Sequence, residues 1–314
     1  MSTTMQAIQF YEYGGPEVMK YEDVPRPTPK ANEVLIRVHA MGVNPVDWKI
    51  REGYVKARMN IPLPAIPGGD VSGVVAAAGA GVSADLVGQP VIAMLGLLGA
   101  YCEYVVAVPG STARKPATMD HTDAASVPLA ALTAWQALFE HAGLTRGQSV
   151  LVHAAAGGVG SFAVQLAHNA GATVVGTGSA GNADYVRGLG ADQFIDYQSD
   201  SFDRFAGKFD VVFDLIGGET SMRSLSLLKK GGLHIGGVPP SAALIEKSVA
   251  QGLRTMGMQV KPNGAQLKEI SALIDAGKLK TTIAATFPLA EAGRAHALSK
   301  AGHTRGKIVL QNPV

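Results

Sequence analysis

The stretch V-L-V-H-A-A-A-G-G-V-G, from Val150 to Gly160, decides the fold. Its first half is a short, apolar, β-branched run that reads as a buried parallel strand, and its second half is a turn too rich in glycine to carry bulky side chains. The segment from Ser161 to His168 then places apolar residues at helical spacing. Strand, glycine turn and helix in that order form the context in which a glycine pattern reads as a dinucleotide fingerprint. A pyrophosphate binds a helix N-terminus only where backbone N–H groups come close to it, and a Cβ blocks that approach. Gly157, Gly158 and Gly160 leave the space open, in an A-x-G-x-x-G version of the usual G-x-G-x-x-G with Ala155 at its head.

A chain of 314 residues has room for two domains, each with its own core. Its 27 Lys+Arg against 25 Asp+Glu give no electrostatic case for nucleic acid. The single cysteine, Cys102, excludes an internal disulfide and any multi-cysteine zinc cluster, and suits a reducing cytoplasm. No basic segment followed by an apolar one opens the chain, so no secretory signal is expected. The run from Val91 to Val108 approaches the length of a membrane span. Glu103 and two glycines break it, and two buried strands joined by a tight turn are the expectation instead.

Outward from the glycine turn, the texture of the chain divides. Up to about Pro116, short β-branched runs alternate with Gly and Pro: Gln6–Phe10, Glu33–His39, Val71–Val75 and Tyr104–Val108 read as strands, with Glu33–His39 half buried by its alternation. Strands without regular helices between them predict a small, partly open barrel. Pro25 to Pro29 reads as an extended connector. From Met119 a helix start at Asp120–Ser126 and a helix over Leu129–His141 precede six strand-like runs, at Val150, Thr173, Gln193, Val211, Leu233 and Thr255, each separated by helical sequence. That alternation predicts a doubly wound parallel sheet. In the tail, helices are expected over 264–277 and 291–301 and a strand over Lys307–Gln311.

The segment Gly147–Gln165 resembles the signature of the zinc-independent, zeta-crystallin-like quinone oxidoreductase branch of the medium-chain dehydrogenase/reductase superfamily. Gly14–Val18, Gly42–Asp47, Pro67–Gly73, Leu132–Ala137 and Gly302–Leu310 agree in order and spacing, so the resemblance spans the chain. It implies an α/β protein with a GroES-like β-barrel catalytic domain over 1–118, completed by 264–314, and a Rossmann NADP-binding domain over 119–263. It further implies a cleft between them and hydride transfer from a nicotinamide to a quinone or an activated alkene. It places the cofactor along Asn44, Thr133, Ala156, Gly157, Gly158, Val159, Thr177, Gly178, Ser179, Tyr197, Ile216, Gly237, Val238 and Arg305, with Asn44 and Tyr54 at the reacting centre.

Several of these residues carry a second reading. Asn44 before Pro45 also suits a turn, Trp48 and Tyr54 suit a core as well as a cleft wall, and Thr133 suits plain helix packing. Lys49 stands where relatives often carry an aromatic. Zinc needs about three Cys, His or carboxylate ligands. Asn44 stands where zinc-dependent relatives have cysteine, and Gly68-Gly69-Asp70 where they have Gly-His-Glu, so no metal is expected, with His39 and Asp70 the residual ligand candidates. The end of the second strand, Val174 to Asn182, lacks the acid that NAD favours about 20 residues past the glycines. Ser179, Tyr197 and Arg305, with Arg187 in reserve, are the expected 2′-phosphate contacts, giving NADPH. A reductase of enals and enones, which must also protonate carbon, is the alternative activity, and a non-catalytic NADPH-binding protein is the alternative of another class. The sixth strand, Thr255–Val260, at an open sheet edge, makes a homodimer the expected assembly.

Overall fold

The apolar run before the glycine turn is a central strand of a six-stranded parallel sheet in this computed structural model, which describes residues 3–313. The chain divides into two units, one made of Met1–Leu132, Lys261–Gly277 and Thr281–Val314 and the other of Thr133–Val260 with Lys278–Lys280.

In the first unit β1 (Thr4–Phe10) and β2 (Met19–Pro25) form an antiparallel pair. Next come β3 (Val34–Val43), α1 (Pro45–Arg51), β4 (Asp70–Ala78), β5 (Pro90–Met94), β6 (Tyr104–Ala107), β7 (Thr112–Arg114), α2 (His121–Ala125) and α3 (Pro128–Trp135), which passes into the second unit at Thr133. The second unit supplies β8 (Ser149–Val152), α4 (Gly158–Asn169), β9 (Thr173–Gly178), α5 (Ala183–Gly188), β10 (Gln193–Asp196), β11 (Phe209–Asp214), α6 (Glu219–Ser224), β12 (Leu228–Gly236), α7 (Ala242–Ala250) and β13 (Arg254–Gly257). The chain then returns to the first unit with α8 (Gly264–Asp275), β14 (Ile283–Pro288), α9 (Ala292–Ala301) and β15 (Lys307–Gln311).

The first unit is a curled sheet in the order β14-β15-β3-β4-β5-β7, with β6 also on β3. One edge of β3 pairs with β4; the other is shared, its first half taken by β6 and its second by β15. Surrounded in this way, β3 is buried along almost its whole length, which corrects the half-buried expectation for Glu33–His39: only Arg37 is exposed. The tight turn expected within Val91–Val108 is absent too. Residues 95–103 instead make a long connection between strands that do not pair, in which Ile8 N–H donates to the Tyr101 carbonyl and Tyr101 is fully buried. Strand β14, unread in the sequence, alternates half-buried and exposed residues at the sheet edge.

Parallel pairing throughout and the order β10-β9-β8-β11-β12-β13 make the second sheet a 3-2-1-4-5-6 doubly wound sheet. The helix read over Leu129–His141 is α-helical only to Trp135 and continues as π-helix over Gln136–His141.

The division between units also differs from the expected boundary at 118/119. The first unit runs on to Leu132, because Ser126 Oγ bonds Thr281 Oγ1 at 2.8 Å and Leu129 N–H donates to Asp70 at 2.8 Å. Lys278–Lys280 joins the second unit because the Gln165 amide both donates to and accepts from the Lys280 backbone, at 3.0 and 2.9 Å, and Asn169 donates to the Lys278 carbonyl. Among the described residues, no helix is long and apolar enough to cross a membrane.

Candidate active site

Strand order reverses between β8 and β11, and ligands of doubly wound sheets bind at the carboxyl ends of the strands beside such a reversal. The glycine turn sits there. Gly157 caps α4 with extended backbone and no side chain, so the first-turn N–H groups face no competing cap. Glycine at 160 is obligatory: a Cβ there would lie 2.2 Å from the Ala154 carbonyl oxygen and 2.8 Å from Ala155 Cα. A Cβ on Gly157 would stand 3.3 Å from the same oxygen. Ala156 is buried, while Gly158 and Val159 are partly open. These features fit a pyrophosphate-bearing cofactor, whose anion would rest on the N–H groups of 158–160, that of Gly157 being spent on the Ala154 carbonyl at 2.9 Å.

His153, at the end of β8, braces this turn from below. Its Nε2–H donates to Ser224 Oγ at 2.8 Å, because that hydroxyl spends its own proton on the Thr220 carbonyl, and its Nδ1 accepts from Thr177 Oγ1 at 3.0 Å. Burial pushes the imidazole down to about 4, so it is neutral near pH 7. Thr177, which the resemblance assigns to the cofactor, has its side chain buried and turned to His153. Beyond it, Gly178 is buried, Ser179 accepts from Asn182 Nδ2 at 3.1 Å, and Tyr197 is half exposed with its N–H on the Gly178 carbonyl. No acid stands at the end of β9, and Arg187 lies 3.6 Å from Asp184. Ile216, Gly237 and Val238 are exposed on the loops after β11 and β12. Thr133, nearly buried on α3, opens the second unit, and Arg305 is exposed in the 302–306 loop of the first.

Asn44 belongs to a buried polar cluster in the first unit. As N-cap of α1, it donates its backbone N–H to Asp47 Oδ2 at 2.8 Å. Its side-chain Nδ2 donates to Asp70 Oδ2 at 2.9 Å and its Oδ1 accepts from Lys307 Nζ at 2.5 Å. An ammonium on one side and a carboxylate on the other leave the amide one orientation and one uncommitted N–H. Lys307 also donates to the Val43 carbonyl at 3.1 Å. Asp47 Oδ2 accepts a second bond from Tyr101 OH at 2.8 Å. That hydroxyl accepts from His296 Nε2 at 3.2 Å, and His296 Nδ1 accepts from buried Arg51 at 3.3 Å. Burial pushes Asp47 up to about 7, Asp70 up to about 6 and His296 down to about 3, and it lowers Lys307. Tyr54, by contrast, is exposed on the turn after α1, edge-on to Trp48 at 5.7 Å, with Lys49 and Lys300 near that indole.

Asp47, Tyr101, His296, Lys307 and His153 had no assigned part in the sequence reading. The Asn44-Pro45-x-Asp47 spacing of an N-cap with its N3 acid was the available signal for Asp47. Lys307 opens an apolar strand, where a lysine ordinarily reads as solvated.

A 3-2-1-4-5-6 sheet with a braced phosphate turn, carried on one chain with a curled seven-stranded sheet, defines a two-domain dinucleotide-binding protein. Residues 30–117 match the family described as alcohol dehydrogenase GroES-like domain, and residues 189–310 the one described as zinc-binding dehydrogenase. The chain is 35% identical to a chloroplast envelope quinone oxidoreductase homolog of Arabidopsis thaliana, over 98% of both chains. It is equally 35% identical to an NADPH-dependent alkenal/one oxidoreductase of the same plant, over 98% of this chain and 79% of that one. A quinone oxidoreductase structure from Coxiella burnetii superimposes with a TM-score of 0.90 at 36% identity, covering 98% and 99% of the two chains. The chain belongs to the quinone oxidoreductase branch of the medium-chain dehydrogenase/reductase superfamily, a family of oxidoreductases.

The zinc that one family description implies does not fit the residues present. Both Asp70 oxygens are engaged, by Asn44 and Leu129 N–H, with Lys307 Nζ 3.9 Å away, and His39 stacks on His121 at 4.3 Å. Among the described residues no three His, Cys, Asp or Glu side chains converge to hold an ion.

Two outcomes follow from this geometry. Gly160→Val pushes α4 away from Ala154 and is expected to lower NADPH affinity by about a hundredfold or more, measured by cofactor fluorescence; unchanged affinity would show that the turn does not hold phosphate. Asp47 binds its proton more tightly folded than unfolded, so ionising it costs stability as pH rises from 3.8 toward about 7. Relative to wild type, Asp47→Asn should therefore gain about 1–3 kcal/mol between pH 5 and pH 8 in urea unfolding. A difference independent of pH would mean that Asp47 does not titrate there.

Proposed function

We propose that the chain is an NADPH-dependent, metal-independent reductase of quinones. The observation that carries the reading is the glycine turn at the strand-order reversal, closed to any side chain at Gly160. The acceptor class is supported by the quinone oxidoreductase relatives matched over the full chain. Bound NADPH supplies a hydride, and an electron-poor quinone takes one without a Lewis acid. Asn44 has one N–H left, which makes it a donor and suits it to a quinone or ribose oxygen. A second activity, reduction of enals and enones, is supported by the identity to the alkenal/one oxidoreductase. The lone, buried thiol of Cys102 suits a reducing compartment, for which we propose the cytoplasm.

NADPH oxidation against quinones, enals and enones tests the reading, with the largest kcat/KM expected for a quinone; turnover of enones alone would replace it with the second activity. The donors that the second unit offers a 2′-phosphate beyond β9, Ser179 and Tyr197, are neutral and would contribute about 0.5–1.5 kcal/mol each, with Arg305 of the first unit the charged candidate. The expected NADPH preference over NADH in kcat/KM is therefore about ten- to a hundredfold, and an NADH preference would overturn the cofactor assignment.

Strand β13 ends the six-stranded sheet with one edge unpaired along the strand order, and we propose that two copies associate through it. Light scattering is expected to give a dimer; a monomer at working concentration would refute this.

A further inference from the structure

One carboxylate ties together the two loops that follow β11 and β12. Asp214, the last residue of β11 and almost fully buried, accepts four hydrogen bonds. Its Oδ1 takes Ile216 N–H at 2.8 Å and Gly217 N–H at 3.1 Å; its Oδ2 takes His234 Nε2 at 3.2 Å and the Ser221 hydroxyl. The Asp214 carbonyl in addition accepts Gly237 N–H at 2.8 Å. His234 is held in turn, its Nδ1 hydrogen-bonded to Thr255 Oγ1 at 3.1 Å. Gly217 and Gly218, at φ +86° and +61°, let the first loop fold back over the carboxylate. A Cβ on Gly217 would lie 3.1 Å from Val238 Cγ2, so the two loops touch. Burial alone would push the Asp214 carboxyl up, but the donors from His234, Ser221 and Ile216 hold it below the ordinary range, and it stays ionised.

Ile216 and Val238, one on each loop, are the exposed products of this arrangement, at 58% and 43%. Large apolar side chains at the carboxyl ends of strands in a doubly wound sheet stand where a ligand binds. The phosphate turn occupies the half of the sheet built from β8, β9 and β10, which leaves the β11–β13 half for the other nucleotide. We propose that Asp214 is a positioning residue for the nicotinamide half of the cofactor, holding Ile216 and Val238 out as the apolar surface against which that half rests. The inference rests on the nicotinamide-dinucleotide reading above.

The test compares a whole cofactor with its adenine half. Titrations of NADPH against 2′,5′-ADP, and of NADH against ADP, are made on wild type, Asp214→Ala and Asp214→Asn. Asp214→Ala is expected to bind the whole cofactors about tenfold more weakly while the half-cofactors change less than about threefold, with Asp214→Asn between wild type and Ala. Parallel losses for whole and half would reduce Asp214 to a structural residue, and undiminished NADPH and NADH binding would remove the role altogether. Should Asp214→Ala fail to fold by circular dichroism, Ser221→Ala, which deletes one donor and keeps the carboxylate, carries the same comparison with an expected loss of about two- to threefold for whole cofactors only. Wild type that binds none of the four ligands would overturn the dinucleotide reading and the inference with it.

Discussion

The carbonyl oxygen of Ala154 lies 2.2 Å from where a Cβ at position 160 would be, and this contact between turn and helix sets the geometry of the second unit. Only glycine lets α4 start that close to the end of β8, and that closeness presents the helix N-terminus to an anion. The rest of the turn is arranged to keep it. Ala154 adopts a left-handed φ of +51°, unusual for a side-chain-bearing residue, and His153 beneath it is bonded on both ring nitrogens. Buried hydrogen bonds within the protein hold the turn, and a binding geometry held by the protein's own contacts loses less ordering entropy when a ligand binds.

The first unit follows a different logic. Asp47, Asp70 and Lys307 are all buried, and taking charges out of water is expensive unless they are paired and hydrogen-bonded. Asp70 is fully satisfied, but Asp47 Oδ1 has no partner. An apolar replacement of similar volume would often be at least as stable as such a cluster, so its use here is better sought in what it orients than in what it stabilises. What it orients is the Asn44 amide, trapped between the ammonium of Lys307 and the carboxylate of Asp70.

Legibility in the sequence followed the range of the interactions. The glycine turn, the six parallel strands and the late helices are patterns within a few residues, and the sequence reading placed all of them. Lys307 lies 263 positions from Asn44, and nothing local distinguishes it from a solvated strand lysine. Thr177 entered the cofactor set only through the resemblance. Its hydroxyl is claimed by a histidine 24 residues upstream, a tertiary preference that strand position does not encode. The break in the Leu129–His141 helix was invisible for a similar reason, since its composition suits α- and π-helix alike. Strand β14 escaped because its alternation is that of a short edge strand among Thr and Ala residues.

The two polar networks also differ in how they respond to pH, and the difference follows from donor count and desolvation together. Asp214 takes four donors and stays ionised wherever the protein is folded near neutrality. Asp47 and Asp70 have fewer donors and are more deeply desolvated, which leaves them near 7 and 6. Protonating Asp70 weakens the grip on one side of the Asn44 amide, and protonating Asp47 loosens the cap of α1. Between pH 5 and pH 8 the Asp214 carboxylate therefore keeps its charge while Asp47 and Asp70 gain theirs, so the orientation of the Asn44 amide is the more pH-dependent of the two arrangements.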